Sequence, residues 1–139
     1  MRDCGKSIRR AKIAVLGASY KAGVKNVDYS PIHLLVGRLT RKGADVKVYD
    51  PFFTSEELKK EGLPAARGLK GTLEEADVLL ITVGHEEFRR FNLRDAARLV
   101  KRPAVVIDCG HVLDPRRVEE ENLLYRRVGR AYQKRQESL

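Results

Sequence analysis

An aromatic and a cationic side chain, Tyr20 and Lys21, stand side by side in a polar stretch between a predicted strand and a predicted helix. An aromatic ring can stack on a base or a sugar, and the neighbouring ammonium can meet a carboxylate or a phosphate. The pair would therefore suit a phosphorylated ligand that contains a ring. A solvated pair of loop residues is the alternative, and spacing alone favours that alternative.

The glycines that flank this pair, Gly17 and Gly23, follow a strand and lead toward a helix, as the glycines of a dinucleotide fingerprint do. Their spacing is not G-x-G-x-x-G, however, and the helix begins only near Ser30-Pro31. A pyrophosphate could not sit tightly on a helix terminus that lies so far along the chain. We therefore reject an ordinary NAD site here and interpret the glycines as turn residues.

Other polar side chains follow other predicted strands. Asp50 ends the second strand, where a dinucleotide-binding fold places its ribose-binding acid, but a turn residue is an equally good interpretation. Asp108 suits hydrogen bonds to loop amides, and His111 either contacts a ligand or caps the last helix. Cys109 has no partner base at a recognisable spacing, so a buried, inert thiol is favoured over a nucleophile.

Metal chemistry has little support in this sequence. The histidines, His33, His85 and His111, show no H-x-x-x-H spacing. The two cysteines, Cys4 and Cys109, exclude a disulfide framework and a four-cysteine zinc site. We therefore expect no metal site.

The composition limits the class of protein. A chain of 139 residues and 15.7 kDa corresponds to one domain, and its 28 basic and 19 acidic residues give a net charge of +9. Such a surface attracts anions, including nucleotides and nucleic acids. The sequence contains no apolar run long enough for a membrane helix, and no apolar stretch follows the basic N-terminus as in a signal peptide. We expect a cytoplasmic protein with no membrane partner.

The hydrophobic pattern predicts strands that alternate with helices. The predicted strands are 12–17, 45–50, 77–83 and 104–108, with 123–130 either an edge strand or a turn. The predicted helices begin at Pro31 after a Ser30 N-cap, near Ser55 with Thr54 or Ser55 as the cap, at a Thr72 capping box, near His85, after an Asn92 cap and at Asp114-Pro115. This alternation predicts an α/β fold, a doubly wound, mostly parallel sheet in a Rossmann-like three-layer domain, with 77–83 as its central strand. The loops 18–29, 51–53, 84–87 and 109–113 would then share one edge, where open sheets bind ligands.

A series of short motifs also occurs in a characteristic order. The motifs are V-L-G-A-S-Y-K (15–21), S-P (30–31), K-G-A-D-V-K-V-Y-D-P (42–51), A-D-V-L-L-I-T (76–82), H-E-E-F (85–88) and V-V-I-D (105–108) with an aspartate at 114. In this order they resemble the C-terminal domain of the nucleotide-sugar 6-dehydrogenases that act on UDP-glucose, UDP-N-acetylmannosamine and GDP-mannose. The Tyr-Lys form resembles the UDP-N-acetylmannosamine branch more than the glucose branch.

The resemblance implies a domain, residues 11–132, that binds the UDP part of a UDP-sugar, with Tyr20, Lys21 and His111 as its substrate-binding residues. It implies that NAD and the catalytic cysteine belong to a separate N-terminal domain, so we expect no cofactor site and no catalytic residue in this chain, and no activity of the chain alone. Cys4 should not inherit the catalytic role. Residues 1–10 would be the end of an interdomain helix and 133–139 a frayed tail. The full enzyme would be a homo-oligomer that serves polysaccharide biosynthesis.

Two positions depart from the family pattern. Asp28 replaces an arginine that reaches toward the cofactor pyrophosphate in the family, and Gly110 replaces an arginine that helps to hold the nucleotide sugar. Each lost charged contact would weaken binding by about 1.5–3 kcal/mol. The alternative function is therefore a degenerate, non-catalytic nucleotide-binding or assembly module. A nucleic-acid binder is less favoured, because the basic stretch 126–135 contains few aromatic residues.

Overall fold

The computed structural model describes residues 8–28, 30–90 and 92–127, in which strands and helices alternate as the sequence predicts. The strands are β1 Lys12–Leu16, β2 Asp45–Tyr49, β3 Val78–Ile81, β4 Val105–Asp108 and β5 Leu124–Arg126. The helices are α1 Ile32–Arg41, α2 Ser55–Lys60, α3 Gly68–Leu73, α4 Glu86–Arg90, α5 Leu93–Leu99 and α6 Pro115–Glu120. The uncertain segment 123–130 contributes an edge strand. Residues 1–7 and 128–139, which include Cys4, most of the predicted interdomain helix and the predicted tail, lie outside the described residues.

The strands form one parallel sheet in the order β2-β1-β3-β4-β5, so the predicted doubly wound class and the central position of β3 are confirmed. The register places Leu16 beside both Tyr49 and Ile81, and Ile81 beside Asp108. The first four strands therefore end level with one another. Their following loops emerge at one edge, which we call the carboxyl edge.

Each face of the sheet carries its own hydrophobic layer, because successive strand side chains point to opposite faces. Ala14 and Leu16 pack on the face covered by α3 to α6, with Phe88 and Val118 from the helices. Ile13 and Val15 pack on the other face, to which the helices α1 and α2 contribute Ile32, Val36 and Leu58. This arrangement gives the three layers that the sequence predicts.

The N-terminus of α1 differs in detail from the prediction. Pro31 occupies the cap position instead of Ser30, and helical backbone begins at Ile32. The Ser30 hydroxyl still accepts a hydrogen bond from the Ile32 amide at 3.2 Å. The predicted caps of α2, α5 and α6 are confirmed, since the side chains of Thr54, Asn92 and Asp114 each accept an amide of the first turn.

The capping box predicted at Thr72 is wrong. Thr72 lies near the end of α3, and its hydroxyl donates to the carbonyl of Gly68 at 2.7 Å. Leu69 and Leu73, four residues apart, both pack against the core layer that contains α5. Burial of Leu69 and Leu73 favours a helix that ends near Thr72, whereas the local motif predicted that a helix begins there. In the described residues, no helix combines the length and apolar character needed to cross a membrane.

Candidate functional site

Two buried aspartates lie at the carboxyl edge, one after β2 and one at the end of β4. Asp50 and Asp108 both have no exposed surface. A buried carboxylate requires hydrogen-bond donors, because removing its charge from water is costly. Every buried side-chain nitrogen or oxygen in the described residues has a hydrogen-bond partner, so both carboxylates are satisfied. The partners of each aspartate define how the neighbouring loops are held.

Asp50 fixes the beginning of the loop that follows β1. Its Oδ2 accepts the amides of Ala18 at 2.8 Å and Ser19 at 3.1 Å, and the Ser19 hydroxyl at 3.0 Å. Its Oδ1 accepts the amide of Phe52 at 2.9 Å, within its own turn. Both oxygens are therefore engaged by the protein. These hydrogen bonds favour the interpretation of Asp50 as a turn residue over its interpretation as a ribose-binding acid, because its carboxylate binds the protein's own loops.

His85 joins this aspartate to the far part of the same loop. Its Nδ1 lies 3.0 Å from the Gly23 amide nitrogen, and its Nε2 lies 2.9 Å from Asp50 Oδ2. A backbone N–H can only donate, so Nδ1 accepts and the ring proton is on Nε2, which donates to the carboxylate. The His85 ring is fully buried. It packs edge-to-face with the Phe52 ring, and the two ring centres lie 4.9 Å apart. In the sequence this histidine marks a predicted helix start and begins the H-E-E-F motif, and no local pattern indicates its contacts with Gly23 and Asp50.

The loop between these anchors carries the predicted site residues. Tyr20 is 54% exposed and Lys21 is also exposed. The Tyr20 amide donates to the carbonyl of Asn26 at 2.6 Å, which closes the loop on itself. Within the described part of the chain, the Lys21 ammonium has no acidic partner. The ammonium is therefore available to an anion from solution.

A surface contact holds the outer side of the same loop. The Lys25 ammonium lies 2.6 Å from a carboxylate oxygen of Glu57 and 5.5 Å from the centre of the Phe53 ring. The Lys25 hydrogen bond is the main cause that lowers the pKa of Glu57. Both charged side chains are well exposed to water, so this contact stabilises the loop much less than the buried one does.

Asp108 holds the loop that follows β4. Its two oxygens accept the amides of Val112 at 3.1 Å and Leu113 at 2.9 Å, which confirms the predicted hydrogen bonds to loop amides. The Tyr125 hydroxyl donates to the same carboxylate at 2.7 Å, and Arg127 Nε donates to that hydroxyl at 2.8 Å. Burial, and then the hydrogen bond with Asp108, raise the pKa of Tyr125 to about 12.

The loop after β3 lies between the other two and contacts both. A Cβ built on Gly110 would lie 2.8 Å from the amide nitrogen of Gly84 and 2.9 Å from its Cα. Such distances are far inside van der Waals contact, so the backbones of the two loops touch at this point. Next along the chain, His85 contacts Gly23. One dipeptide therefore links the loop after β1 to the loop after β4.

His111, the third predicted site residue, belongs to the loop after β4. Its backbone φ is +53°, and Asp114 caps the following helix, so the capping alternative for His111 is wrong. The structure thus places Tyr20 and Lys21 after β1 and His111 after β4, at the same edge and with β3 between the two strands.

The described residues do not fit a bound NAD. Gly17 has a φ of +121°, and a Cβ there would lie 2.7 Å from Oγ1 of Thr82, which directly follows β3. This glycine therefore forms a tight turn against the neighbouring strand of the sheet. The helix α1 begins at Ile32, far beyond that turn. Asp50, the candidate ribose ligand, has both oxygens occupied.

Cys109 corrects one expectation from the sequence. Its side chain is exposed, not buried. Desolvation by the surrounding protein, and then the Asp108 carboxylate, raise the pKa of the thiol. The thiol is therefore held in its less reactive protonated form. In the described residues, no three potential ligands from histidine, cysteine, aspartate and glutamate come together as a metal site.

The comparisons with known proteins agree with this architecture. The sequence model of the UDP-glucose/GDP-mannose dehydrogenase family, UDP binding domain, matches residues 14–115. The chain belongs to this family. A UDP-glucose 6-dehydrogenase from Rickettsia bellii is 31% identical over 127 residues, which are 89% of this chain and 29% of the relative. A UDP-N-acetyl-D-mannosamine dehydrogenase from Methanocaldococcus jannaschii is 25% identical over 79% of this chain and 25% of its own length.

A solved structure shows the same fold. The NDP-N-acetyl-D-galactosaminuronic acid dehydrogenase from Methanosarcina mazei superposes with a TM-score of 0.82 at 22% identity, covering 92% of this chain and 26% of that one. The chain thus spans less than a third of the length of each of these three proteins.

The structure gives a physical account of one departure from the family pattern. At Gly110 the close contact with Gly84 leaves no room for the family arginine unless the backbone of one loop moves. The other departure, Asp28, is exposed, and its amide donates to the side chain of Asn26 at 2.8 Å. Nothing in the structure explains why aspartate replaces arginine there.

Proposed function

We propose that this chain is the UDP-sugar-binding domain of an NAD-dependent nucleotide-sugar 6-dehydrogenase. One observation carries the proposal: Tyr20 and Lys21 are exposed at the carboxyl edge, on a loop whose flanks are tied to buried groups. A loop held in this way presents an aromatic face and a cation with little loss of entropy on binding, which favours a pyrophosphate-bearing ligand with a ring.

In this proposal Lys21 pairs with the diphosphate, Tyr20 stacks on a ring of the ligand, and His111 contacts it from the loop after β4. The exposed Lys21 ammonium offers three donors and a full charge to phosphate oxygens. The site lacks the arginine that the family has at position 110. We therefore expect weaker binding than that of a relative with both cations.

The longer enzyme would oxidise the primary alcohol of the sugar to a carboxylate and would assemble as a homo-oligomer. NAD, which accepts hydride when bound, would be held by another part of that protein, because the residues described here do not fit it. This chain's contribution is to hold and orient the substrate. Given NAD and UDP-glucose alone, the isolated chain should form no NADH, and formation of NADH would contradict the proposed division of labour.

The binding test is a calorimetric titration of the chain with UDP and with UDP-sugars. Loss of one charge-assisted contact in Lys21→Ala should weaken UDP binding by about tenfold or more. Lys42→Ala is the matched control, because Lys42 is also exposed but lies at the C-terminal end of α1, away from the carboxyl edge. If the wild-type chain gives no heat of binding at millimolar UDP, the result would instead support the degenerate, non-catalytic module.

A further inference from the structure

We propose that His85 is a positioning residue for the Tyr20–Lys21 loop, and that its two ring nitrogens set the geometry in which this loop meets a nucleotide. The inference rests on the function proposed above, because it assigns His85 a part in UDP binding without contact to UDP. The histidine is fully buried.

The two anchors of the loop lie on either side of the exposed pair. Asp50 holds the amides of Ala18 and Ser19, before the pair, and His85 Nδ1 accepts the Gly23 amide, after it. Since His85 Nε2 also donates to Asp50, both anchors belong to one hydrogen-bonded unit. Tyr20 and Lys21 therefore lie on a short span whose ends are fixed relative to each other.

The ring itself has little freedom to turn. Phe52 packs against it at 4.9 Å between ring centres, and Phe88 lies at 5.6 Å on the same measure. The preceding residue, Gly84, touches the backbone of Gly110. The imidazole is thus held by packing, and its acceptor nitrogen points at a fixed place in the loop.

A merely structural role would need only a side chain that fills this space. The observed contacts need more, namely an acceptor toward Gly23 and a donor toward Asp50 on opposite sides of one planar group. Histidine with its proton on Nε2 supplies both. Two substitutions separate these functions, since the asparagine amide oxygen can replace Nδ1 and the glutamine amide nitrogen can replace Nε2.

The experiment measures UDP affinity for His85→Asn and His85→Gln, well below their melting temperatures. His85→Gln retains the donor to Asp50 but loses the acceptor for Gly23, so UDP should bind about tenfold more weakly. His85→Asn retains the acceptor and should stay within about threefold of wild type. Val118→Ala, which removes buried volume from α6 far along the chain from this loop, is the control for destabilisation and should bind as wild type does.

A double-mutant cycle with Lys21→Ala separates positioning from general stability. If His85 acts through the loop, His85→Gln should weaken UDP binding much less in the Lys21→Ala background than in wild type. Equal effects in both backgrounds, or equal losses in the asparagine and glutamine variants, would overturn the positioning role. Wild-type protein that does not bind UDP would instead overturn the proposed function itself.

Nuclear magnetic resonance tests the contact without any ligand. The imidazole nitrogen shifts should report the Nε2-protonated tautomer, and the Gly23 amide should exchange slowly in wild type and in His85→Asn but fast in His85→Gln. A Gly23 amide that exchanges equally fast in all three proteins would show that the anchor does not exist in solution, whatever the UDP affinity.

Discussion

The loops after β1 and β4 are held by the same device and yet present different surfaces. Each depends on a buried strand-end aspartate that accepts two loop amides, and each aspartate accepts a further hydrogen bond from a ring group, His85 for Asp50 and Tyr125 for Asp108. The loop after β1 exposes Tyr20 and Lys21. The loop after β4 instead presses Gly110 against Gly84. A shared backbone support thus leaves the chemistry of each loop to the side chains it carries.

Removing the carboxylate of Asp50 or of Asp108 should produce the largest losses of stability, and the two losses show which aspartate supports its loop more strongly. In Asp50→Ala five hydrogen bonds are lost, and the buried donors left behind should lower the free energy of unfolding by more than about 3 kcal/mol. Asp108→Ala should cost less, about 2–4 kcal/mol, because Tyr125 can still donate to the carbonyl of Leu113. Urea denaturation measures both, and a larger loss for Asp108→Ala would reverse the ranking.

A methyl group at the contact between loops should give the next largest effect. Gly110→Ala places a Cβ inside the contact distance of Gly84, so the strain should lower the free energy of unfolding by about 1–3 kcal/mol. Gly37→Ala is the control, because nothing lies within 4 Å of a Cβ there. In a helix that change should stabilise the protein by about 0.5–1 kcal/mol. Thermal melts that show no difference between the two variants would contradict the close contact.

The tyrosine partner of Asp108 predicts a loss of stability in alkali. The pKa of Tyr125 is raised to about 12 in the folded chain, against 10.0 for an unperturbed tyrosine. The unfolded state therefore loses its proton first, and stability should be full below pH 10 and fall as the pH rises toward 12. Unfolding titrations of wild type and Tyr125→Phe measure this fall, which should be smaller in the variant. Parallel curves would show that Tyr125 is not the cause.

Loss of the exposed ion pair between Lys25 and Glu57 should have the smallest effect on stability. Glu57→Gln keeps the capping box of α2, since glutamine can also accept the Thr54 amide, but it removes the ion pair with Lys25. Both partners are well exposed, so the melting temperature at physiological salt should not change measurably. A clear drop that disappears in high salt would mean that the outer contact supports the loop as well as the buried one does.

Much of this fold could be predicted from local sequence. Apolar runs such as Ile13 to Leu16 and Val105 to Ile107 require burial on both faces, and cap residues such as Asn92 and Asp114 mark helix starts through their own hydrogen bonds. The Thr72 motif failed because Leu69 and Leu73 pack against a core layer whose other residues, such as Ala96 and Ala97, lie outside the four residues that the motif spans.

The sequence by itself determined the layered α/β class, the family and the exposed Tyr20–Lys21 pair, since these depend on residue type and order along the chain. Only the tertiary structure decided that Asp50 and His85 serve the loop and that Gly110 has no room for a side chain. Asp50 and His85 are 35 positions apart in sequence and 2.9 Å apart in space. The physical reason is that hydrogen-bond satisfaction and steric exclusion depend on distance in space, and parallel crossovers bring remote strand ends to one edge.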